Sequence, residues 1–512
     1  MHDVKTTDSR TRQAIWIGAG ALLGFMFSTI ATMVMARNMP TADLGTFRQL
    51  LGLYSTTFVA FSAGMPAVYA FFLPRCSLEH GAVLVRFVMK NLLILGILFG
   101  AGIFVFADSI ATALNNPDLA TALRAFALAP ILLFPTLGAE GLLVSNGRAS
   151  TLFLFVLISR GLTAFLWAVP VIIFSGHFTY PVFGWVLAAA FTLALFVSIV
   201  FLVYGKLLFD RKTALPETPS HIRGFALTIY TSWIAGVIIG LSDHVFVSRY
   251  FGVAVYAEYS LGMLELPFVS LIITSSAAIL TPVFSAMNAR DVHQDMWLPT
   301  WNSAILKAAA ILYPIVVFCM VYSSEIMTFL YTDTYRQAAA YFQLSLISTF
   351  FQVAAISSLM ISLGLQRYYS AGHWIIAILI WIMMPLAMAL FGSILSILLV
   401  SVALKSLLMI GLICFLANRC KARLTDMVPF GPLLVLTAHC FFWALILRWA
   451  LDLSGLGWIG PLGLITVAGI FYLPCLALSL YLAKTSAFLV GIDLVAAFLP
   501  SALARRLKTW VP

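Results

Sequence analysis

Charge is what this chain lacks most. Asp, Glu, Lys and Arg make up 9% of its 512 residues, while 62% are hydrophobic and the mean hydropathy is +1.03. A soluble domain needs a polar shell that this composition cannot supply, so soluble enzymes are excluded. Catalytic motifs are missing as well. There is no GxxxxGK[ST] phosphate loop, no HExxH or CxxC metal set, and no GxSxG nucleophile turn. The six cysteines form no CxxC pair and fall mostly in apolar runs, where they read as small buried hydrophobes. The expectation is a protein that is not an enzyme and carries no metal or other cofactor. The lead "MHDVKTTDSRTRQ" is polar and mildly basic, and the apolar run after it is too long for a cleavable signal. The ten-residue alternation of an outer-membrane barrel is absent too.

Long apolar windows are what the chain has instead. They recur from end to end, which predicts an all-α polytopic membrane protein. About fourteen spans are expected, near 14–36, 46–72, 84–107, 121–144, 150–174, 180–204, 222–249, 255–285, 301–322, 338–363, 371–391, 393–418, 428–451 and 458–483. The positive charges orient them. With the N-terminus inside, 21 of the 29 Lys and Arg fall on the inner side and six on the outer, with Arg160 and Lys405 deep in spans. Both termini are therefore expected in the cytoplasm of a cell with this protein in its inner membrane. The net charge of +10 is explained by topology, and nucleic acid is not an expected partner.

A weak repeat organises the chain. At an offset of 212 positions, Gly24 matches Gly236, Arg37 matches Arg249, and Phe47 finds Tyr259. Pro66 in "SAGMPAVYA" is paired with Pro282 in "ILTPVFSAM", one helical turn further on. Six spans separate the copies, so the two lobes run parallel about an axis along the membrane normal. The expected domains are an N-lobe at 1–205, a cytoplasmic linker at 206–221, a C-lobe at 222–420, two further spans at 421–485, and an interfacial tail at 486–512.

Two stripes of small residues, Gly20–Gly24–Ser28–Thr32 and Ser232–Gly236–Gly240–Asp243, suit close helix packing or a cavity wall. Ionisable groups within spans must face protein, water or an opposite charge. Arg160, Glu265 and Lys405 are placed near mid-depth, and Asp243 in the outer third of the seventh span. Arg37, Arg48 and Arg249 lie near the outer surface, where headgroup anchoring is the structural alternative. Glu258 shares a helix face with Gly262 and Glu265.

The helix exit "MARNMPTADLGTFRQLLGLYS" leading into "SAGMPAVYAFFLPR", with its echo "VSRYFGVAVYAEYSL", resembles the polysaccharide and lipid-linked oligosaccharide flippases of the multidrug/oligosaccharidyl-lipid/polysaccharide exporter superfamily. Arg37, Asp43, Gly45 and Phe47 carry the likeness. It implies two six-helix lobes around a central cavity, working by alternating access. The implied cargo is an undecaprenyl-pyrophosphate-linked oligosaccharide for surface polysaccharides such as exopolysaccharide or O-antigen. Membrane lipids, a polysaccharide polymerase and glycosyltransferases are the implied partners. Arg37, Arg48, Arg160, Arg249 and Lys405 would supply positive charge for the pyrophosphate. Asp243, Glu258 and Glu265 would be ion-pair or coupling-ion groups, and they equally suit a cation-coupled drug or metabolite exporter of the same superfamily. A polytopic glycosyltransferase or polymerase would need a larger extramembrane loop than this chain has.

Overall fold

The computed structural model describes residues 10–174, 176–210, 212–289, 294–354, 356–485 and Phe488. The lead before residue 10 and the expected interfacial tail, Phe488 aside, lie outside the described residues. Helix dominates, as the hydropathy requires: in lipid every backbone N–H and C=O must be satisfied within its own segment. The elements used below are α1 (Arg10–Asn38), α2 (Thr41–Phe61), α3 (Met65–Phe72), α4 (Leu78–Val105), α5 (Ala149–Ile173), α6 (Thr179–Tyr204), α7 (Pro219–Gly262), α8 (Pro267–Ala289), α9 (Gln294–Val321), α10 (Ser323–Tyr331), α11 (Gln366–Phe391), α12 (Ile394–Arg419), α13 (Phe430–Leu453) and α14 (Gly460–Leu482). Ser77 caps α4 by accepting the His80 amide, and Ser393 caps α12 by accepting the Leu395 amide.

Among the described residues, twelve helices are long and apolar enough to cross a membrane, or thirteen if the bent pair Thr41–Phe61 and Met65–Arg75 is one crossing. About fourteen were expected. At the expected eighth span, which starts at residue 255, α8 contributes Pro267–Ala277 as a shorter apolar helix, because residues 255–262 belong to the end of α7 and 263–266 are a break. Many large apolar side chains on these helices are bare, among them Leu202 (76% exposed) and Phe391 (73%). Such a surface suits acyl chains rather than water.

The chain divides into two compact units, Met1–Ala257 and Glu258–Pro512. This division by packing differs from the expected division by repeat, which starts the second lobe at residue 222. The difference is local: most of α7 is packed with the first unit. In that unit α1 lies along α5, and α5 along α6. In the second, α11 pairs with α12, α9 with α13, and α13 with α14.

The two halves of the repeat show the same corner. α1 ends at Asn38 and α2 begins at Thr41, after Pro40. At the same offset, Gly252 interrupts α7 with φ 78° and ψ 177°. Gly252 lets the helix turn without an intervening loop, since only glycine tolerates that conformation cheaply. The two prolines expected to correspond sit in different settings. Pro66 opens α3 after a 54° bend at Ser62–Gly64. Pro282 lies inside the unbroken α8, whereas Pro267 opens α8 after the non-helical break at 264–266. A proline at a helix start fixes φ and needs no amide partner, and Pro267, like Pro66, opens its helix after a break.

Candidate functional site

The residues of the first unit converge on α2. Its exit motif is built into the packing. Asp43 accepts the Phe178 amide at 3.1 Å, tying the α1–α2 corner to the start of α6. Gly45 is buried against the Val253 carbonyl of α7, and a Cβ there would collide with it. Phe47 sits edge-on to Trp167, 5.1 Å between centroids, and near Trp185. Arg37 is exposed at the end of α1. Of the four residues that carried the family likeness, three therefore position helices.

One turn further along α2 runs a buried polar chain. Asn116 Nδ2 donates to Thr46 Oγ1 at 2.9 Å and to Gln49 Oε1 at 2.6 Å, and Gln49 Nε2 donates to Ser248 Oγ at 3.0 Å. A further contact links His244 Nδ1 with the Tyr256 hydroxyl at 2.6 Å, and that hydroxyl donates to the Arg48 carbonyl at 3.4 Å. Gly52 leaves room for this pair, because a Cβ would come 2.7 Å from both His244 Cε1 and the Tyr256 oxygen. Polar groups buried this deeply cost free energy unless paired, and the chain pairs them across α2, α7 and the "NNPD" turn. Residue counting did not reveal this network. The signals were a lone Gln49 inside an apolar helix and the Asn116 of a turn read only as a break.

Arg160 is exposed on α5, one residue short of halfway along that helix. Its Cγ lies 3.4 Å from where a Cβ on Gly24 of α1 would sit. The small side of α1 thus makes room for the arginine stem, with Gly20 packing on Val156 in the same groove. The Arg160 side chain lies near Tyr54 of α2. Tyr54 is itself fixed by Phe126 and Trp185, at 5.1 and 5.3 Å. Arg48 is half-buried on α2, Arg249 exposed on α7, and Asp243 buried on α7 at 5% exposure. The first unit therefore carries an exposed arginine on α5, a half-buried arginine on α2 and a buried carboxylate on α7. The second stripe differs from the first. Gly240 approaches Thr56, and Gly236 has open space around it.

In the second unit Glu258 is half-buried near Tyr335 and Tyr341. Tyr335 lies outside the spans, and burial pushes its hydroxyl up to about 12, with the Glu258 charge adding to the effect. Glu265 was expected near mid-depth of a helix. It is instead exposed in the break at 264–266, where Pro267 stops the helix from continuing backwards. Lys405 is half-buried on α12. A group the sequence reading passed over joins α13 to α10. Arg448 pairs with Glu325 and, at 3.2 Å, with Asp452, and lies 5.9 Å from the Tyr322 ring.

The helical architecture, its broken second helix and its polar groups within spans define a polytopic carrier-type membrane fold. A family model described as "Polysaccharide biosynthesis protein" matches residues 79–340, just over half of the chain, and the chain belongs to that family. Its membership supports the likeness to the exporter superfamily that the α1–α2 motif suggested, although the matched stretch begins after that motif. Solved structures share the fold. The lipid II flippase MurJ in an inward closed conformation is 14% identical with a TM-score of 0.66, covering 91% of this chain and 98% of its own. An inward-facing multidrug resistance MATE family transporter of the MOP superfamily is 14% identical with a TM-score of 0.59, covering 78% and 98%. MATE in its straight conformation is 15% identical with a TM-score of 0.56, covering 80% and 95%. No match was found among curated proteins.

Proposed function

We propose that this protein is a flippase. It moves an undecaprenyl-pyrophosphate-linked oligosaccharide from the inner to the outer leaflet of the inner membrane, for surface polysaccharide synthesis. The observation that carries this reading is the family match over 79–340, read with an accessible arginine in mid-span at Arg160. A charge in a span is costly unless it meets water or a counter-charge, and a pyrophosphate is such a counter-charge. In this reading the protein works by alternating access. Both termini are cytoplasmic, and Arg48, Arg249, Lys405 and Arg37 assist Arg160. Sugars meet hydrogen-bonding walls while the polyprenyl tail stays in lipid.

The test is surface glycan in a strain lacking the gene, complemented with Arg160→Ala or Arg48→Ala. Loss of a charge-assisted bond to phosphate lowers transport about tenfold or more at unchanged protein level. Full glycan from both variants at normal abundance would remove these arginines from the cargo site. Buried Asp243 favours a second reading, a MATE-like cation-coupled exporter. That reading takes over if the deletion leaves every surface glycan intact and sensitises cells to cationic drugs.

A further inference from the structure

A cavity of about 530 Å³ lies inside the second unit, between α8 and α9, and none of the residues discussed so far lines it. Its wall holds three hydroxyls, Ser276, Thr300 and Ser303, and one ammonium, Lys307, with Leu280 and Ala304 supplying apolar surface. Thr300, Ser303 and Lys307 follow one another at spacings of three and four, so α9 turns one polar face to the cavity. The start of α9 is held rigidly in place. Trp301 Nε1 donates to the Met427 carbonyl and Asn302 Nδ2 to the Asp426 carbonyl, both at 2.8 Å. Across the gap, Phe284 of α8 packs against Trp297 and Trp301 at 6.2 Å. The two helices are thus clamped at one end, next to the cavity.

Lys307 is the feature that asks for an occupant. It stands ten residues beyond Trp297, about 15 Å along the helix, inside a candidate span. Among the described residues no carboxylate pairs with it. Its exposed, strongly hydrated ammonium is met by water or by an anion. The volume falls in the range of small-ligand sites, and three hydroxyls beside one cation match the acceptors of a phosphate. The charge split is the reason to expect this end of α9 toward the cytoplasm, where anionic headgroups are available.

We propose that this cavity binds the phosphate of a lipid headgroup, with Lys307 as its counter-charge and Ser276, Thr300 and Ser303 as donors. The source is either an anionic phospholipid of the bilayer or the diphosphate of a polyprenyl carrier. The inference does not depend on the flippase reading, since the first source stands without it.

Native mass spectrometry of the purified full-length chain decides the matter. The chain is incubated with equal amounts of phosphatidylglycerol, phosphatidylcholine and a polyprenyl diphosphate. Retention of an anionic lipid above phosphatidylcholine is expected. Lys307→Gln should lower it about tenfold and Lys307→Arg should keep it. Selective retention of phosphatidylglycerol identifies the bilayer source, and selective retention of the polyprenyl diphosphate identifies the carrier. Ala304→Phe fills the cavity without touching the charge and should also release the lipid. It carries the test if Lys307→Gln elutes aggregated. Equal retention of every lipid by wild type and by the folded variants overturns the proposal.

Discussion

The corner between α1 and α2 and its later copy in α7 begin alike and diverge within three turns. Each passes from one helix to the next at matching positions, Pro40 and Gly252, and each soon buries an aromatic, Phe47 or Tyr259. After the first corner α2 runs 21 residues before it breaks at Ser62–Gly64. After the second, the helix stops at Gly262, ten residues past Gly252. Turn and anchor are shared, while the break is set separately in each copy by its own glycine and proline. The consequence is local: Arg48 rides in unbroken helix, whereas Glu265, five positions past the counterpart of Arg48, falls in unwound chain and is exposed. Equivalent positions in the two copies thus give paired tests, in which one substitution meets two environments.

The largest effect is expected at Gly45. Its counterpart 212 positions on is Ala257, which is fully buried and already carries a methyl. At Gly45 the same methyl would strike the Val253 carbonyl, and backbone cannot move aside as a flexible side chain can. Gly45→Ala should destabilise the folded protein by about 3 kcal/mol. Ala257→Gly should cost only about 1 kcal/mol. Thermal unfolding of both variants in detergent measures the contrast. Similar melting temperatures would mean that α2 and α7 are not packed this tightly.

Gly252 comes next, against Pro40. Pro40 holds ordinary extended backbone at φ −55° and ψ 146°, and Gly252 a conformation reserved for glycine. Space is no obstacle at Gly252, since nothing lies within 4 Å of an added Cβ. Gly252→Ala should therefore cost about 1–3 kcal/mol from backbone strain alone. Pro40→Ala should cost less than Gly252→Ala, because alanine adopts that backbone freely. A Gly252→Ala protein that melts with wild type would show that the helix passes this point without the sharp turn.

These pairs also show what the sequence made legible. Apolar run length revealed the helical membrane class, since hydropathy depends on composition alone. The 212-residue offset was visible because Arg37, Phe47 and their partners kept both type and spacing. Span number was less visible: α7 continues to Gly262, and no polar stretch marks where one crossing ends. The settings of Pro66 and Pro282 were hidden for a related reason: local wording matches, while the break depends on where a proline stops the helix, at Pro66 and at Pro267. At the candidate site, isolated charges such as Arg160 stood out against apolar surroundings. The Gln49–Asn116–Ser248 chain did not, because its members are 67 and 199 residues apart and gain meaning only when three elements meet.

The smallest effect is expected for the pair that first suggested the repeat, Gly24 and Gly236. Both sit in stripes of small residues, a pattern that suggests helices pressed together. Gly24 fits that reading, with Val156 and the Arg160 stem at 3.7 and 3.4 Å from an added Cβ. Gly236 does not, as open space surrounds it. In mid-helix, glycine is worse than alanine by about 1 kcal/mol when nothing opposes the methyl. Gly236→Ala should thus raise stability by up to about 1 kcal/mol. Gly24→Ala should gain less, because its methyl meets the Arg160 stem at the limit of ordinary contact. The two variants also separate packing from transport. If Gly24→Ala lowers surface glycan at normal abundance while Gly236→Ala leaves it unchanged, the groove holding Arg160 sets the arginine's position for cargo. Glycan lost in Gly236→Ala alone would instead mark the open face of α7 as the sensitive wall, and Arg160 would give up its place at the centre of the proposed site.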